Sequence, residues 1–148
     1  MPEEKFKRTD IWREGKWLDL WSAVHFLTGI SAGLGGYFLH FGAIPSVIIT
    51  LVSLICYEMW EAMVGIAETP TNRFMDVVVG MASFLPTFFF ISPILTTREL
   101  VATFGLVLAI NIAASILGWY ESQKAAEREK RVLARYAKQR ARLFKRKS

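Results

Sequence analysis

Two glutamates and one aspartate stand inside apolar stretches that are long enough to cross a bilayer. Glu58 and Glu61 lie near the end of the run 45–66, and Asp76 follows after a short turn, near the start of the next run. Ionisable side chains at membrane depth cost roughly 2.5–3.5 kcal/mol each on insertion scales, so they are rare unless they have partners or a task. The two runs and their turn therefore predict a helical hairpin that carries a buried polar cluster.

A histidine in the preceding apolar run completes a set of side chains that could bind a divalent metal ion. The set offers one imidazole and three carboxylates, from His25, Glu58, Glu61 and Asp76. Glu58 and Glu61 share a helix face because they are three residues apart, so they could chelate or bridge an ion. The same set could act as general acid and base or as a proton relay, so no catalytic residue is assigned. A purely structural network, in which Arg73 pairs with Asp76, is a further alternative.

Polar and small residues on the same predicted helix faces could support this cluster. The polar candidates for supporting roles are Asn72, Arg73, Asn111 and Ser115. Small residues at helical spacing let helices approach closely inside lipid, and those with predicted packing roles are Gly29, Gly33, Gly36 and Gly80. Asp19 fits a solvated or capping role, and Ser22 could pair with the His25 imidazole three residues later.

The apolar runs are too long and too free of charge for a soluble helix bundle. Of the 148 residues, 53% are hydrophobic, and residues 26–57, 77–97 and 100–120 contain no Asp, Glu, Lys or Arg. A bilayer core of about 30 Å needs about 20 mostly apolar residues per helix. The sequence therefore predicts an all-α polytopic membrane protein, a four-helix transmembrane bundle with a basic C-terminal helical tail.

The predicted organisation has three parts. Residues 1–17 form a cytoplasmic or interfacial N-terminal segment, residues 18–120 the transmembrane domain, and residues 121–148 a basic cytoplasmic tail. The predicted spans are 18–39, 45–66, 70–92 and 98–120, with Thr69 capping the third and Pro86 kinking it. The single cysteine, Cys56, excludes an intramolecular disulfide. The sequence contains no Walker loop, G-x-S-x-G or H-E-x-x-H motif.

The distribution of basic residues predicts the orientation. Seventeen of the 18 Lys and Arg residues fall on the side that holds both ends and the middle loop, and only Arg98 falls on the other. Because Lys and Arg accumulate in cytoplasmic segments, we expect both termini in the cytoplasm and a multi-pass location in the cell (inner or plasma) membrane. At about 1.5 Å per residue, polar candidates on all four helices then lie roughly 8–14 Å inside the cytoplasmic face, which predicts one buried site there.

The tail determines the predicted partners. Residues 121–148 hold eleven Lys or Arg against three Glu, a net charge of +8. Each basic residue near an anionic membrane surface contributes about 1 kcal/mol of attraction, so membrane lipids with anionic headgroups are the expected partners of the tail. Nothing in the tail is specific for nucleic acid, which is not an expected partner. A homo-oligomer is compatible with the sequence.

Three motifs together resemble a known group of membrane proteins. They are His25-Phe26-x-x-Gly29, Tyr57-Glu58-x-x-Glu61 and Asn72-x-x-x-Asp76-x-x-x-Gly80, and the likeness covers residues 19–84. This pattern resembles the VanZ-like and YjdF-like small integral membrane proteins of bacteria and archaea. The resemblance implies a helical membrane fold with His25, Glu58, Asp76 and Gly80 at matching positions. It also implies a role at the cell envelope, because one VanZ member is linked to glycopeptide resistance, but it implies no defined reaction.

Three functions are compatible with these patterns. The first is binding of a divalent cation and of a lipid-phosphate headgroup, with the reaction undefined. The second is a small proton- or cation-coupled transporter, which is weakened because the outer half offers few polar residues, namely Ser46, Thr50, Ser53 and Thr87. The third is a structural or assembly subunit whose polar network only packs helices. In that case Glu58→Gln with Glu61→Gln leaves activity intact and stability unchanged or raised.

Overall fold

Four long α-helices make up the part of the chain that the structure describes. The computed structural model describes residue 12 and residues 17–63 and 69–145, with side chains up to residue 138. These residues include no β-strand, in agreement with the predicted all-α class. The helices are α1 (Leu20–Phe38), α2 (Ala43–Met63), α3 (Pro70–Pro86) and α4 (Thr97–Lys145). A π-helical turn, Thr87–Ile91, and a 3-10 turn, Ser92–Ile94, extend α3.

Three helical segments within the described ranges are long and apolar enough to cross a membrane. They are Ala43–Met63, Pro70–Ile94 and Thr97–Lys138. These segments indicate the membrane location that the sequence predicts. The predicted bundle has a fourth span, but α1 is not among the three, because its glycines, serines and single histidine make it more polar. Its assignment as a membrane span therefore depends on its packing against α3.

The start of α1 follows from a side-chain cap. The Asp19 carboxylate accepts hydrogen bonds from the backbone N–H groups of Trp21 and Ser22, at 2.8 and 3.2 Å. The Ser22 hydroxyl accepts one from the Asp19 backbone N–H in return, which completes a capping box. The helix therefore begins at Leu20, two residues later than the predicted span. Asp19 thus has the capping role that the sequence suggested.

The predicted start of α3 is confirmed, and the helix type changes at its end. Thr69 caps the helix and Pro70 occupies its first position. Pro86 cannot donate the helical hydrogen bond, and the chain widens into the π turn directly after it. The helical segment continues to Ile94, slightly past the predicted end at residue 92.

The remaining boundaries differ from prediction in two ways. α2 begins at Ala43 rather than at residue 45, and residues 64–66 of the predicted second span lie outside the described part. α4 is a single helix of 49 residues, so the predicted fourth span and the basic tail form one continuous element. The N-terminal segment 1–17 lies outside the described part except for residues 12 and 17, as do residues 146–148.

α1 occupies the centre of the bundle and runs parallel to α3. Their contacts advance along both helices, from Ser22 with Asp76 to Gly33, whose backbone lies against Thr87. α4 packs on another side of α1, whereas α2 packs mainly on α3. Because α1 lies beside α3 over most of its length, it reaches the same depth in a membrane as the apolar α3.

Large apolar side chains cover the outer faces of α2 and α4. Examples that are about half exposed or more are Ile48, Val52, Leu106, Ile110 and Ile116. A soluble protein rarely exposes contiguous apolar surface on this scale. A surrounding bilayer would cover these faces, which agrees with the membrane location.

Candidate functional site

Three of the four predicted ligand residues lie together in the interior. His25 on α1, Glu58 on α2 and Asp76 on α3 are 6%, 6% and 1% exposed, respectively. One potential ligand atom from each lies within 4.8 Å of the other two. The Nε2 atom of His25 is 3.3 Å from Oε1 of Glu58 and 3.9 Å from Oδ2 of Asp76. We refer to these three residues as the triad.

Close helix packing brings the triad together. A Cβ atom placed on Gly29 would overlap the Gly80 carbonyl oxygen and the Ser83 hydroxyl, so α1 and α3 touch backbone to backbone there. The Ser83 hydroxyl donates a 2.7 Å hydrogen bond to the carbonyl oxygen of Phe26, across the same contact. His25 and Asp76 each precede the touching glycine of their helix by four residues, or about one turn, so the contact places them side by side.

α2 packs against this contact between α1 and α3 through one leucine. The buried Leu54 side chain lies against Gly80, at 2.8 Å from the position a Cβ atom would take there. Glu58 follows Leu54 by four residues on the same face of α2, so it reaches the level of His25. The glycine at position 80 therefore admits both α1 and α2 to the face of α3 that carries Asp76.

A second layer of polar groups holds Asp76. The Ser22 hydroxyl donates a 2.5 Å hydrogen bond to Oδ1 of Asp76. The Asn72 amide nitrogen lies 3.5 Å from Oδ2 of Asp76 and donates a 2.9 Å hydrogen bond to Oδ2 of Asp19. Asn72 is fully buried, so its amide links the cap of α1 to the interior of α3. Hydrogen-bonded outer groups of this kind fix the orientation of a ligand carboxylate.

The role suggested for Ser22 needs correction. The sequence spacing suggested a hydroxyl–imidazole pair with His25, but the hydroxyl bonds to Asp76 on another helix. The reason is the parallel packing of α1 and α3, which brings the Asp76 carboxylate to the buried side of Ser22. Asp19 likewise belongs to the network through Asn72, beyond its role as a cap.

Glu61 and Arg73 lie at the edge of the site. Glu61 is half-buried and is not a member of the triad, because it lies about one turn past Glu58 along α2. Arg73 is half-buried and lines, with Glu58, a shallow pocket of about 260 Å³ between α2 and α3. The predicted pairing of Arg73 with Asp76 stays a prediction.

The fourth helix contributes polar groups one turn further along α1. The Asn111 amide donates a 3.0 Å hydrogen bond to the hydroxyl of Thr28, and the Ser115 hydroxyl donates to the Asn111 carbonyl oxygen at 2.8 Å. Thr28 follows His25 by three residues. Asn111 and Ser115 therefore lie beside the site, as supporting residues would, and contribute no atom to the triad.

A groove between α1 and α2 begins at the triad. It has a volume of about 460 Å³ and is open on one side. His25 and Tyr57 line its inner end, where their rings pack edge to face at 5.6 Å. Leu39 and Phe41 line its outer end, and Ser115 of α4 lies along its third side. The site thus communicates with a mostly apolar space, which we call the α1–α2 groove.

The triad has the chemistry of a metal centre. An imidazole nitrogen and two carboxylates suit several divalent ions, and the two carboxylates together carry two negative charges when ionised. Buried charges of one sign are costly unless they are compensated, and a divalent cation would compensate both.

No protein-family model, curated protein or solved structure matches the chain. The likeness to the VanZ-like and YjdF-like group therefore stays a prediction that rests on the motifs.

Proposed function

We propose that this chain is a four-span membrane protein whose triad binds a divalent cation and, through it, the phosphate of a lipid headgroup. The observation that carries the proposal is the convergence of His25, Glu58 and Asp76 from three helices, with their ligand atoms within 4.8 Å of one another. Metal ligation by protein side chains requires such a convergence, and the donor types fit. The reaction, if the bound lipid is transformed, is not assigned.

The surroundings of the triad support a cation that also binds a ligand. Three protein atoms leave coordination positions for other groups, as in metal sites that act on substrates. A phosphate oxygen is a suitable hard donor for such a position. The α1–α2 groove offers access, because His25 belongs both to the triad and to the wall of the groove. A lipid in the membrane could therefore reach the ion laterally.

The orientation belongs to the same proposal. With four spans, both termini lie in the cytoplasm, and the triad lies near the cytoplasmic face, where the basic tail also begins. The tail is the cytoplasmic half of α4 and would attract anionic lipid headgroups to the membrane surface beside the groove. This arrangement would raise the local concentration of the proposed ligand.

A structural role for the same residues is the second candidate. The hydrogen bonds from Ser22 to Asp76 and from Asn72 to Asp19, the cap of α1, favour it, because they join α1 to α3 without any ion. A buried polar network can fix the register of helices at some cost in stability. Under this alternative the triad binds no metal, and removing its charges leaves stability unchanged or raises it.

Metal analysis of the detergent-purified protein separates the two candidates. We expect about one divalent ion per chain in the wild type and none in Glu58→Gln/Asp76→Asn. The matched control is Glu121→Gln/Glu127→Gln, which also removes two carboxylates. These carboxylates pair with Lys124 and Arg131 on α4 and do not belong to the triad. The control should keep its metal. Absence of metal from the wild type and the triad variant, with equal melting temperatures, would refute the metal proposal and leave the structural role.

A further inference from the structure

We propose that the α1–α2 groove holds one hydrocarbon chain of the lipid whose phosphate binds at the triad. The inference rests on the proposed function only for the identity of the headgroup. The groove itself is an independent feature of the fold, so the occupancy of the groove and the binding of metal can be tested separately.

The size and lining of the groove fit a long apolar occupant. Its volume of about 460 Å³ lies within the range of roughly 300–1,000 Å³ that is usual for small-molecule sites. Carbon atoms of Val24, Ala32, Ile49 and Leu54 contribute to its walls. Apart from His25 at the inner end, the polar side chains of the lining carry hydroxyl groups, as Thr28, Ser46, Thr50 and Ser53 do, and no Asp, Glu, Lys or Arg is among them. This lining favours a hydrocarbon chain over a column of hydrated ions.

The shape of the groove follows from the way α1 and α2 meet. They come close near their connecting loop, where a Cβ atom on Gly36 would lie 3.3 Å from the Ser46 hydroxyl oxygen. Elsewhere they make few contacts, because α2 packs mainly on α3 and α4 packs on α1. The open side of the groove therefore faces outward, towards the region that a bilayer would fill. The hydrocarbon chain of a membrane lipid can therefore enter the groove sideways from the bilayer.

The length of the groove favours a long hydrocarbon chain. Its lining extends from His25 to Leu39, fourteen residues along the chain, or about 21 Å at 1.5 Å per residue. One leaflet of the hydrocarbon core is about 15 Å thick, half of the usual 30 Å. A chain whose head lies at the triad, near the cytoplasmic face, would thus extend past the bilayer midplane. Both a long acyl chain and an isoprenoid chain have the required apolar character.

The inner end of the groove connects the space for the hydrocarbon chain to the triad, where the headgroup would bind. His25 and Tyr57 line the end of the groove that meets the triad, so an occupant with its hydrocarbon chain in the groove places its polar end beside the triad. There the cation of the proposed function would offset the negative charge of the carboxylates and bind the anionic end. An amphiphile with one anionic end fits both regions at once. A purely apolar molecule or a second protein helix fits only the groove.

The test measures lipid binding by native mass spectrometry of the detergent-solubilised full chain. The two probes are phosphatidic acid and a long-chain polyprenyl monophosphate, which share a phosphate head and differ in the chain. The main variant is Ala32→Phe, which fills the middle of the groove about two turns from His25. Its control is Ala113→Phe, which adds the same bulk on the exposed face of α4. Ser53→Phe blocks the groove from α2 in case Ala32→Phe does not fold.

We expect one lipid bound per wild-type and Ala113→Phe chain, and a loss of affinity of about tenfold or more in Ala32→Phe and Ser53→Phe. The probe that binds tighter identifies an acyl or an isoprenoid chain. Metal content measured on the same samples should not change. Equal lipid binding by the wild type and both groove variants would overturn the inference, as would a wild type that holds metal but no lipid, or a dimer that forms through the groove. Lipid bound in the groove without metal would instead refute the proposed metal site.

Discussion

The backbone of Gly29 in α1 lies directly against the carbonyl group of Gly80 in α3. No side chain separates the two helices at this point, and a Cβ atom on Gly29 would overlap the Gly80 carbonyl oxygen. One and two turns before Gly29, the same approach lets His25 and Ser22 reach Asp76. The geometry of the triad therefore depends on a contact between two residues that have no side chains.

Replacing the first of these glycines should separate the helices. We expect Gly29→Ala to lower the free energy of unfolding by about 1–3 kcal/mol, the usual cost of overpacking, because a backbone carbonyl cannot move aside as a side chain can. Gly105→Ala is the matched control, since nothing lies within 4 Å of a Cβ atom there. That substitution in α4 should raise stability by about 0.5–1 kcal/mol through helix propensity. Melting temperatures in detergent check both, and equal melting temperatures would contradict the packing described.

Ser22 should influence metal affinity without touching the metal. Ser22→Ala leaves Oδ1 of Asp76 without its hydroxyl donor, and we expect a loss of about 10–100-fold in metal affinity, as is usual for such outer partners. Ser22→Thr keeps a hydroxyl and should restore most of the affinity. Ser31→Ala is the control, because the Ser31 hydroxyl only donates to the Leu27 carbonyl of its own helix. Titration calorimetry measures the three affinities, and equal values for Ser22→Ala and Ser31→Ala would show that Ser22 does not position Asp76.

The helices were largely predictable from the sequence because their signals are local. Long uncharged runs define the apolar helices, and Thr69 with Pro70 defines the start of α3. The continuity of α4 was less evident. Its apolar and basic halves have opposite characters, but the basic half contains no Gly or Pro, and the helix continues through residue 120. The central position of α1 was not predicted, because its polar and small residues make their contacts with α3, which is distant in the sequence.

The types of ligand residue could be predicted from the sequence, but not which of them lie together or which groups hold them. Spacing along α2 places Glu58 and Glu61 on one face, yet it cannot show that only Glu58 lies level with His25. That depends on the offset between α1 and α2, which their packing on α3 determines. The bond from Ser22 to Asp76 joins residues far apart in the chain, so no local pattern indicates it.

The number of spans determines where the two termini lie. α1 runs beside α3, so we expect α1 to cross the membrane although its mean hydropathy is lower than that of the apolar segments in the other three helices. Four crossings put both termini on the same side of the membrane, and the basic residues predict that this side is the cytoplasm. Fusions of green fluorescent protein and of alkaline phosphatase to each terminus in turn check this in bacteria. Fluorescence at both termini agrees with four spans, whereas phosphatase activity at one terminus alone would mean that α1 does not cross.

α4 should behave as one rigid rod from the outer loop into the cytoplasm. Spin labels at Arg98→Cys and Lys138→Cys lie forty residues apart in this helix, so their separation should be about 60 Å at 1.5 Å per residue. Cys56, which is exposed, is first replaced by serine. Double electron–electron resonance should give one narrow distribution near this length. A broad or much shorter distribution would mean that the helix bends where the membrane ends.

The most direct measurement of the central claim is electron spin echo envelope modulation of tag-free protein loaded with Mn²⁺. The chain has two histidines, His25 in the triad and His40, which is exposed between α1 and α2. We predict modulation from a directly bound nitrogen that takes the ¹⁵N pattern when histidine is labelled and that persists in His40→Gln. Bound Mn²⁺ without nitrogen coupling, or coupling that disappears in His40→Gln, would contradict a metal centre at His25, Glu58 and Asp76.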